Sequence, residues 1–165
     1  MSTDTAGPPT NDTETAAAVA RPPPLFLAAL ALGFALDHLL PWSFPLARTD
    51  LHRIIAGFLI VVGGAIFAVS IRNFIDARTP VQGTKPTRTL VTTGIHGWSR
   101  NPIYVGMLLV YCGIGVAVRS PSILILALPL AIALRYGVVA REETYLERRF
   151  GDAYRAYKAR VRRWL

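Results

Sequence analysis

The stretch NPIYVGMLLVYCGIGVAVRSPSILILALPLAIALRYGVVAREE, residues 101–143, decides the fold. It holds two apolar runs, Ile103 to Val118 and Ile123 to Val139, divided only by Arg119, Ser120 and Pro121 and the small Ser122. A polar residue and a proline open each run, Asn101-Pro102 and Ser120-Pro121. That pairing starts helices, because a capping side chain accepts a free backbone N–H and proline has none to leave unsatisfied. So short a connection predicts a tight helical hairpin. Two more apolar runs precede it, Leu25 to Trp42 and Ile54 to Ile71. A hydrocarbon layer about 30 Å thick takes roughly 17 to 25 helical residues, so the first, second and fourth runs suffice with their flanks and the third is short. The predicted fold is all-α: an integral membrane bundle of about four transmembrane helices with a cytoplasmic amphipathic C-terminal helix.

Composition agrees with lipid as the solvent. Of 165 residues, 52% are apolar and only 17% charged, against about 25% charged in an average soluble domain; the mean hydropathy is +0.38. The formal charge is nevertheless +8. Arg72, Arg78, Lys85, Arg88 and Arg100 lie between the second and third runs, and Arg141, Arg148, Arg149, Arg155, Lys158, Arg160, Arg162 and Arg163 follow the fourth. With Arg21 they belong to one side, against Arg48, Arg53 and Arg119 on the other. Because cytoplasmic loops collect Lys and Arg, this predicts a multi-pass protein with both termini in the cytoplasm, and in a bacterium the plasma (inner) membrane as its place. The basic charge thus reads as topology and contact with membrane lipids. No nucleic acid partner is expected, since neither a folded basic domain nor a sheet with stacking aromatics accompanies it.

Residues 1–24, rich in Ser, Thr, Pro and Ala, are too polar to offset the entropy of ordering and read as a disordered tail; residues 25–165 form the membrane domain. Small residues four apart, Ala29 with Gly33, Gly64 with Ala68 and Gly113 with Ala117, would let helix backbones approach closely. At the other end Leu146, Phe150, Tyr154, Tyr157, Val161 and Trp164 make one helical stripe. Gly151 followed by Asp152 predicts that one helix ends there and the next is capped. The stripe suits either a membrane surface, with Trp164 as an interfacial anchor, or the protein's own cytoplasmic face.

The hairpin places two distant segments at one edge. Gly94 to Tyr104 enters the third helix and Arg141-Glu142-Glu143 leaves the fourth, so both emerge on the cytoplasmic side. There a helix start and the guanidinium groups of Arg100 and Arg141 can receive an anion. Glu142 and Glu143 can bind an amine, and the rings of Trp98 and Tyr104 can face a cation. A zwitterionic ligand with an additional positive centre suits that inventory; the alternative is that the arginines only enforce topology and the glutamates neutralise neighbours. Arg135 lies within the fourth run, seven residues before Glu142, a spacing that puts both on one side of a continuous helix. Asp37 and His38, at the far end of the first run, read as solvated polar residues. The lone Cys112 excludes a disulfide framework, and His38, His52 and His96 have no partners at ligand spacing, so no metal site is expected. Gly113-Ile114-Gly115 lacks the preceding strand that a dinucleotide-binding turn requires.

Thr93-Gly94, then Ser99-Arg100-Asn101-Pro102-Ile103-Tyr104-Val105-Gly106, an apolar hairpin, Arg141 to Leu146 and Phe150 to Tyr157 together resemble the isoprenylcysteine carboxyl methyltransferase family and its phospholipid methyltransferase relatives. The likeness covers residues 85–163. It implies a membrane methyltransferase using S-adenosylmethionine, with a cofactor shell of Arg100, Asn101, Pro102, Tyr104, Gly106, Glu142 and Glu143; Asn101 stands where the family has its usual His. For the acceptor it implies a lipophilic small molecule or lipid entering from the bilayer, foremost an isoprenylcysteine-type carboxylate. Arg141 or Arg135 would hold a carboxylate, which is already ionised at neutral pH, whereas an amine acceptor would lose its proton to Glu142 or Glu143. Phospholipid N-methylation, or a scaffold or transporter that keeps the fold without turnover, are the rival readings.

Overall fold

A computed structural model describes residues 22–40, 50–81 and 86–165. Among them every regular element is helical: α1 Pro22–Leu39, α2 Asp50–Asp76, α3 Pro102–Ala117, α4 Pro121–Leu134 and α5 Ala140–Arg160. A 3-10 turn, Gly94–Gly97, precedes α3, and a π turn, Arg135–Val139, joins α4 to α5. Helix α1 begins at Pro22, inside the stretch read as tail, because prolines fill first-turn positions whose N–H groups have no acceptor in the helix. The rest of that tail, together with Trp42, Arg48 and Lys85, lies outside the described residues.

Helices α1 and α2 and the helical stretch Pro121–Arg160 are each long and apolar enough to cross a membrane. Helix α3 has 16 residues, about 24 Å at 1.5 Å per residue, and is the short member the sequence predicts. The bundle is therefore the expected all-α membrane architecture. Ser120 caps α4 by accepting the Ile123 N–H at 2.9 Å. Asn101, at the same position before α3, makes no such cap bond.

Helix α2 runs along α3 in the most extensive helix pair, and α1 packs on α4. The α2–α3 seam is backbone against backbone: a Cβ on Gly106 would come within 2.6 Å of the Gly63 carbonyl oxygen, and one on Gly63 within 2.7 Å of that of Gly106. Of the expected small-residue contacts, Gly33 meets Ile123 and Gly113 meets Ile60, whereas Gly64 faces open space. Gly63 makes the seam instead, because adjacent helical positions differ by about 100° of rotation and only one can face the partner.

The π turn changes an expected alignment. A turn of five residues adds one to the helical count, so the seven residues from Arg135 to Glu142 no longer return to one face. Beyond it, Gly151 (φ 50°, ψ −121°) breaks α5 where the sequence predicts an end and restart, while the carboxylate of Asp152 is taken by the guanidinium of Arg155. The α5 stripe is committed to the protein itself. Tyr145, Leu146, Tyr154 and Tyr157 are buried together, with Leu90, Phe150 and Val161 against them. Trp164 is half-buried against the α3–α4 core rather than standing out as an anchor.

Candidate active site

The segment before α3 is held between α2 and α5. Gly94 takes a positive φ of 60°, and a Cβ there would come 2.7 Å from the Asn73 amide nitrogen, so the turn hugs α2 as only glycine allows. Two residues on, His96 is buried edge-on against Phe74, with ring centroids 5.0 Å apart. Asn73 Nδ2 lies 3.4 Å from His96 Nδ1, and the Tyr157 hydroxyl donates to the His96 carbonyl at 2.7 Å. Burial pushes the imidazole pKa down to about 4, so the ring is neutral at physiological pH. His96 is a wedge between two helices, turned toward Asn73 and Phe74.

The two acids at the start of α5 are both buried, and their partners differ in kind. Glu142 Oε1 accepts from the Tyr104 hydroxyl at 2.7 Å; Glu142 Oε2 is buried with no hydrogen-bond partner. Glu143 is gripped on both oxygens by Arg163, Nε to Oε1 at 2.9 Å and Nη2 to Oε2 at 2.7 Å. Arg100 adds a second cation, its Nη1 3.3 Å from Glu143 Oε1, and both of those side chains are 8% exposed. The Arg100 Nε is buried without a hydrogen-bond acceptor. A buried charge is costly unless paired, so Glu143 is a satisfied anion and Glu142 Oε2 an acceptor with capacity left.

Arg163 reaches Glu143 because the chain turns back after α5. Val161 is extended (φ −117°, ψ 132°), and the next two residues dock onto the segment that opens α3. The Arg100 N–H donates to the Arg162 carbonyl at 2.9 Å, the Asn101 amide to the Arg163 carbonyl at 3.0 Å, and the Ser99 hydroxyl to the same carbonyl at 3.4 Å. Sequence reasoning missed this docking. Arg162 and Arg163 read there as topology charges, and no spacing signals a bond between residues 62 apart.

The expected shell divides. Arg100, Tyr104, Glu142 and Glu143 come together, and Pro102 opens α3 from a buried position beside them. Asn101 spends its amide on the chain end, and Gly106 turns its bare Cα to α2. Trp98 is 82% exposed, and Arg141 is exposed on α5. Arg135 is also exposed, 5.3 Å from the centre of the Tyr136 ring. It lines an apolar cavity of about 420 Å³ with Val105, Leu108, Leu109, Cys112, Ala131, Ile132 and Trp164. Trp164 adjoins Arg163, so the docked chain end borders both the acid pair and the cavity.

The family model for phospholipid methyltransferases matches residues 52–153. The chain belongs to that family. In this phospholipid methyltransferase family member the matched region takes in α3, α4 and both glutamates and ends at Ala153, before the docked residues 162–164. An uncharacterized protein of Haemophilus influenzae is 74% identical over 27 residues, which are 16% of this chain and 43% of that protein. The chain thus spans less than half the length of that curated relative. No solved structure matches it.

Proposed function

We propose that the protein is an S-adenosylmethionine-dependent methyltransferase of the membrane that acts on a lipophilic acceptor. The observation that carries this reading is the partnerless Oε2 of Glu142, buried while Tyr104 bonds the other oxygen and the neighbouring Glu143 is paired with Arg163 and Arg100. A carboxyl oxygen with no partner, and on the segment that opens α3 an arginine with a free N–H, match the ammonium and carboxylate of an amino acid moiety. S-adenosylmethionine, when bound, supplies that moiety and a methyl group on a sulfonium. Tyr104 orients Glu142 toward the ammonium, Arg100 offers Nε to the carboxylate, and Pro102 forms part of the wall. Membership of the phospholipid methyltransferase family supports the same activity.

The acceptor enters from the bilayer into the apolar cavity between α3 and α4, where Arg135 meets its anionic end. We take that end as a carboxylate, foremost that of an isoprenylcysteine-type molecule, which needs no general base to attack a methyl carbon. Orientation then supplies most of the catalysis, in favourable cases about 7 to 11 kcal/mol. The family match favours a second reading, N-methylation of a phospholipid amine, in which Arg135 holds the phosphate and the amine gives up its proton to water before it attacks. The basic excess at the chain end supports a site facing the cytoplasm.

Transfer of a tritiated methyl group from S-adenosylmethionine into a lipid extract and into short prenylcysteine analogues tests both readings. Base-labile label in the analogue is expected for the carboxylate reading, and base-stable label in phospholipid for the amine reading. Absence of label in either, together with no uptake of S-adenosylmethionine by purified protein, overturns the enzymatic assignment.

A further inference from the structure

Two adjacent glutamates, both buried, face different fates, and the difference comes from the end of the chain. Glu143 has both oxygens filled by one guanidinium, whereas Glu142 receives only a neutral hydroxyl. That guanidinium belongs to Arg163, whose backbone is held by Ser99, by Asn101 and, through Arg162, by Arg100. We infer that residues 162–164 form a latch on the Ser99–Asn101 segment through which Arg163, a positioning residue, reserves Glu142 for a cationic ligand group by holding Glu143 as a paired anion. The inference rests on the methyl-donor reading only for the identity of that ligand.

The physical reason is the proximity of like charges. With Arg163 in place the pair carries one held carboxylate and one available acceptor. Without it, Glu143 keeps Arg100, whose Nη1 stands at 3.3 Å without hydrogen-bond geometry. An under-compensated carboxylate next to Glu142 disfavours a second negative charge, so Glu142 would hold its proton to higher pH and bind a cation less well. The other titratable and charged groups around the pair are Tyr104 on α3, which faces Glu142, Tyr154 on α5, which faces Glu143, Arg100 itself with Tyr157 near it, and Tyr136 on the π turn near Arg163. None of the tyrosines is a cation, so none replaces Arg163. Asn101 contributes to the latch as well, since its amide N–H holds the Arg163 carbonyl without adding charge beside the acids.

The test uses the full chain in detergent or lipid discs and two readouts. Infrared titration follows the C=O band of the protonated Glu142 carboxyl, identified by its loss in Glu142→Gln, and needs no ligand. Equilibrium binding measures S-adenosylmethionine itself. In Arg163→Ala the midpoint of the band is expected to rise by about one pH unit and affinity to fall about tenfold. Arg163→Lys, which keeps the charge, should recover most of the midpoint shift, and Arg163→Gln, which removes it while keeping a polar side chain, serves if Arg163→Ala does not fold. Arg163→Ala combined with Glu143→Gln should bring the midpoint back to the wild-type value or below and restore affinity, which a merely structural contact would not do. An unmoved midpoint in the variant that removes the Arg163 charge, or no restoration in the double variant, overturns the inference. Moved midpoints in a protein that takes up no S-adenosylmethionine leave the latch standing and remove the methyl-donor reading; binding with unmoved midpoints does the reverse.

Discussion

Helix α2 and helix α5 use their apolar side chains in opposite ways. Helix α2 shows Ile54, Phe58, Val61, Val69 and Ile75 on its outer surface and holds its partner through bare glycine backbone. Helix α5 is rich in charge, yet it buries Tyr145, Leu146, Tyr154 and Tyr157 and ties several buried groups with a named polar bond: Tyr145 to the Thr87 N–H, Tyr157 to the His96 carbonyl, Glu142 to Tyr104 and Glu143 to Arg163. Lipid replaces water around α2, so its side chains gain little by being covered and close backbone approach supplies the packing. Around α5 most polar groups taken from water find a partner in the protein, with Glu142 Oε2 the exception on that helix. The two regions should therefore fail under different substitutions.

The sharpest break is at the glycine seam. Gly106→Val forces α2 and α3 apart at the Gly63 carbonyl and should cost about 3 kcal/mol by overpacking, read as a lower unfolding temperature in detergent; Gly64→Ala, one residue from the seam on α2 and meeting nothing, should change it by less than about 0.5 kcal/mol. If the two variants behave alike, the seam is misplaced. At the polar end Glu142→Gln removes the anionic acceptor and should weaken S-adenosylmethionine binding roughly thirtyfold, equivalent to about 2 kcal/mol, with little change in unfolding temperature; calorimetry decides. Tyr157→Phe leaves the buried His96 carbonyl unpaired and should destabilise the fold by about 1 to 2 kcal/mol, measurable by denaturant titration. Smallest of the substitution effects, Phe58→Leu on the lipid-facing surface of α2 should stay within about 0.5 kcal/mol.

The His96 wedge adds a pH signature to the comparison. Its imidazole pKa is about 4 in the fold against an ordinary 6.5, so the unfolded chain binds the proton more readily. Stability is then fully present above about pH 6.5 and is lost as pH falls from there toward 4. A His96→Phe variant should lose that part of the pH dependence of unfolding, and a slope unchanged by the substitution would mean that another group titrates there.

What was legible in the sequence came from short-range chemistry. The Ser120-Pro121 start, the brief connection and the apolar run lengths identify the hairpin, and the hairpin alone brings Arg100 and Glu143 to one edge. The same local signs at Asn101 announced a cap that the fold does not make: the side chain accepts no first-turn N–H and instead donates its Nδ2–H to the Arg163 carbonyl. Likewise, the periodicity of the α5 stripe left its partner open between membrane and protein, and only Leu90 and the tyrosines packed with it decide the matter.

By itself, the sequence determined that the chain is a helical membrane bundle with acids and an arginine sharing one end, since run length, capping and charge are properties of neighbouring residues and of the solvent they select. Tertiary structure alone decided which glycine faces a partner, which side of the π turn Arg135 takes, and which glutamate stays available. Those outcomes depend on contacts between residues tens of positions apart, above all the return of Arg163 to Glu143 across the Ser99–Asn101 segment. Linear spacing carries no record of such contacts, because bonds between residues more than 60 positions apart leave no periodic pattern in the sequence.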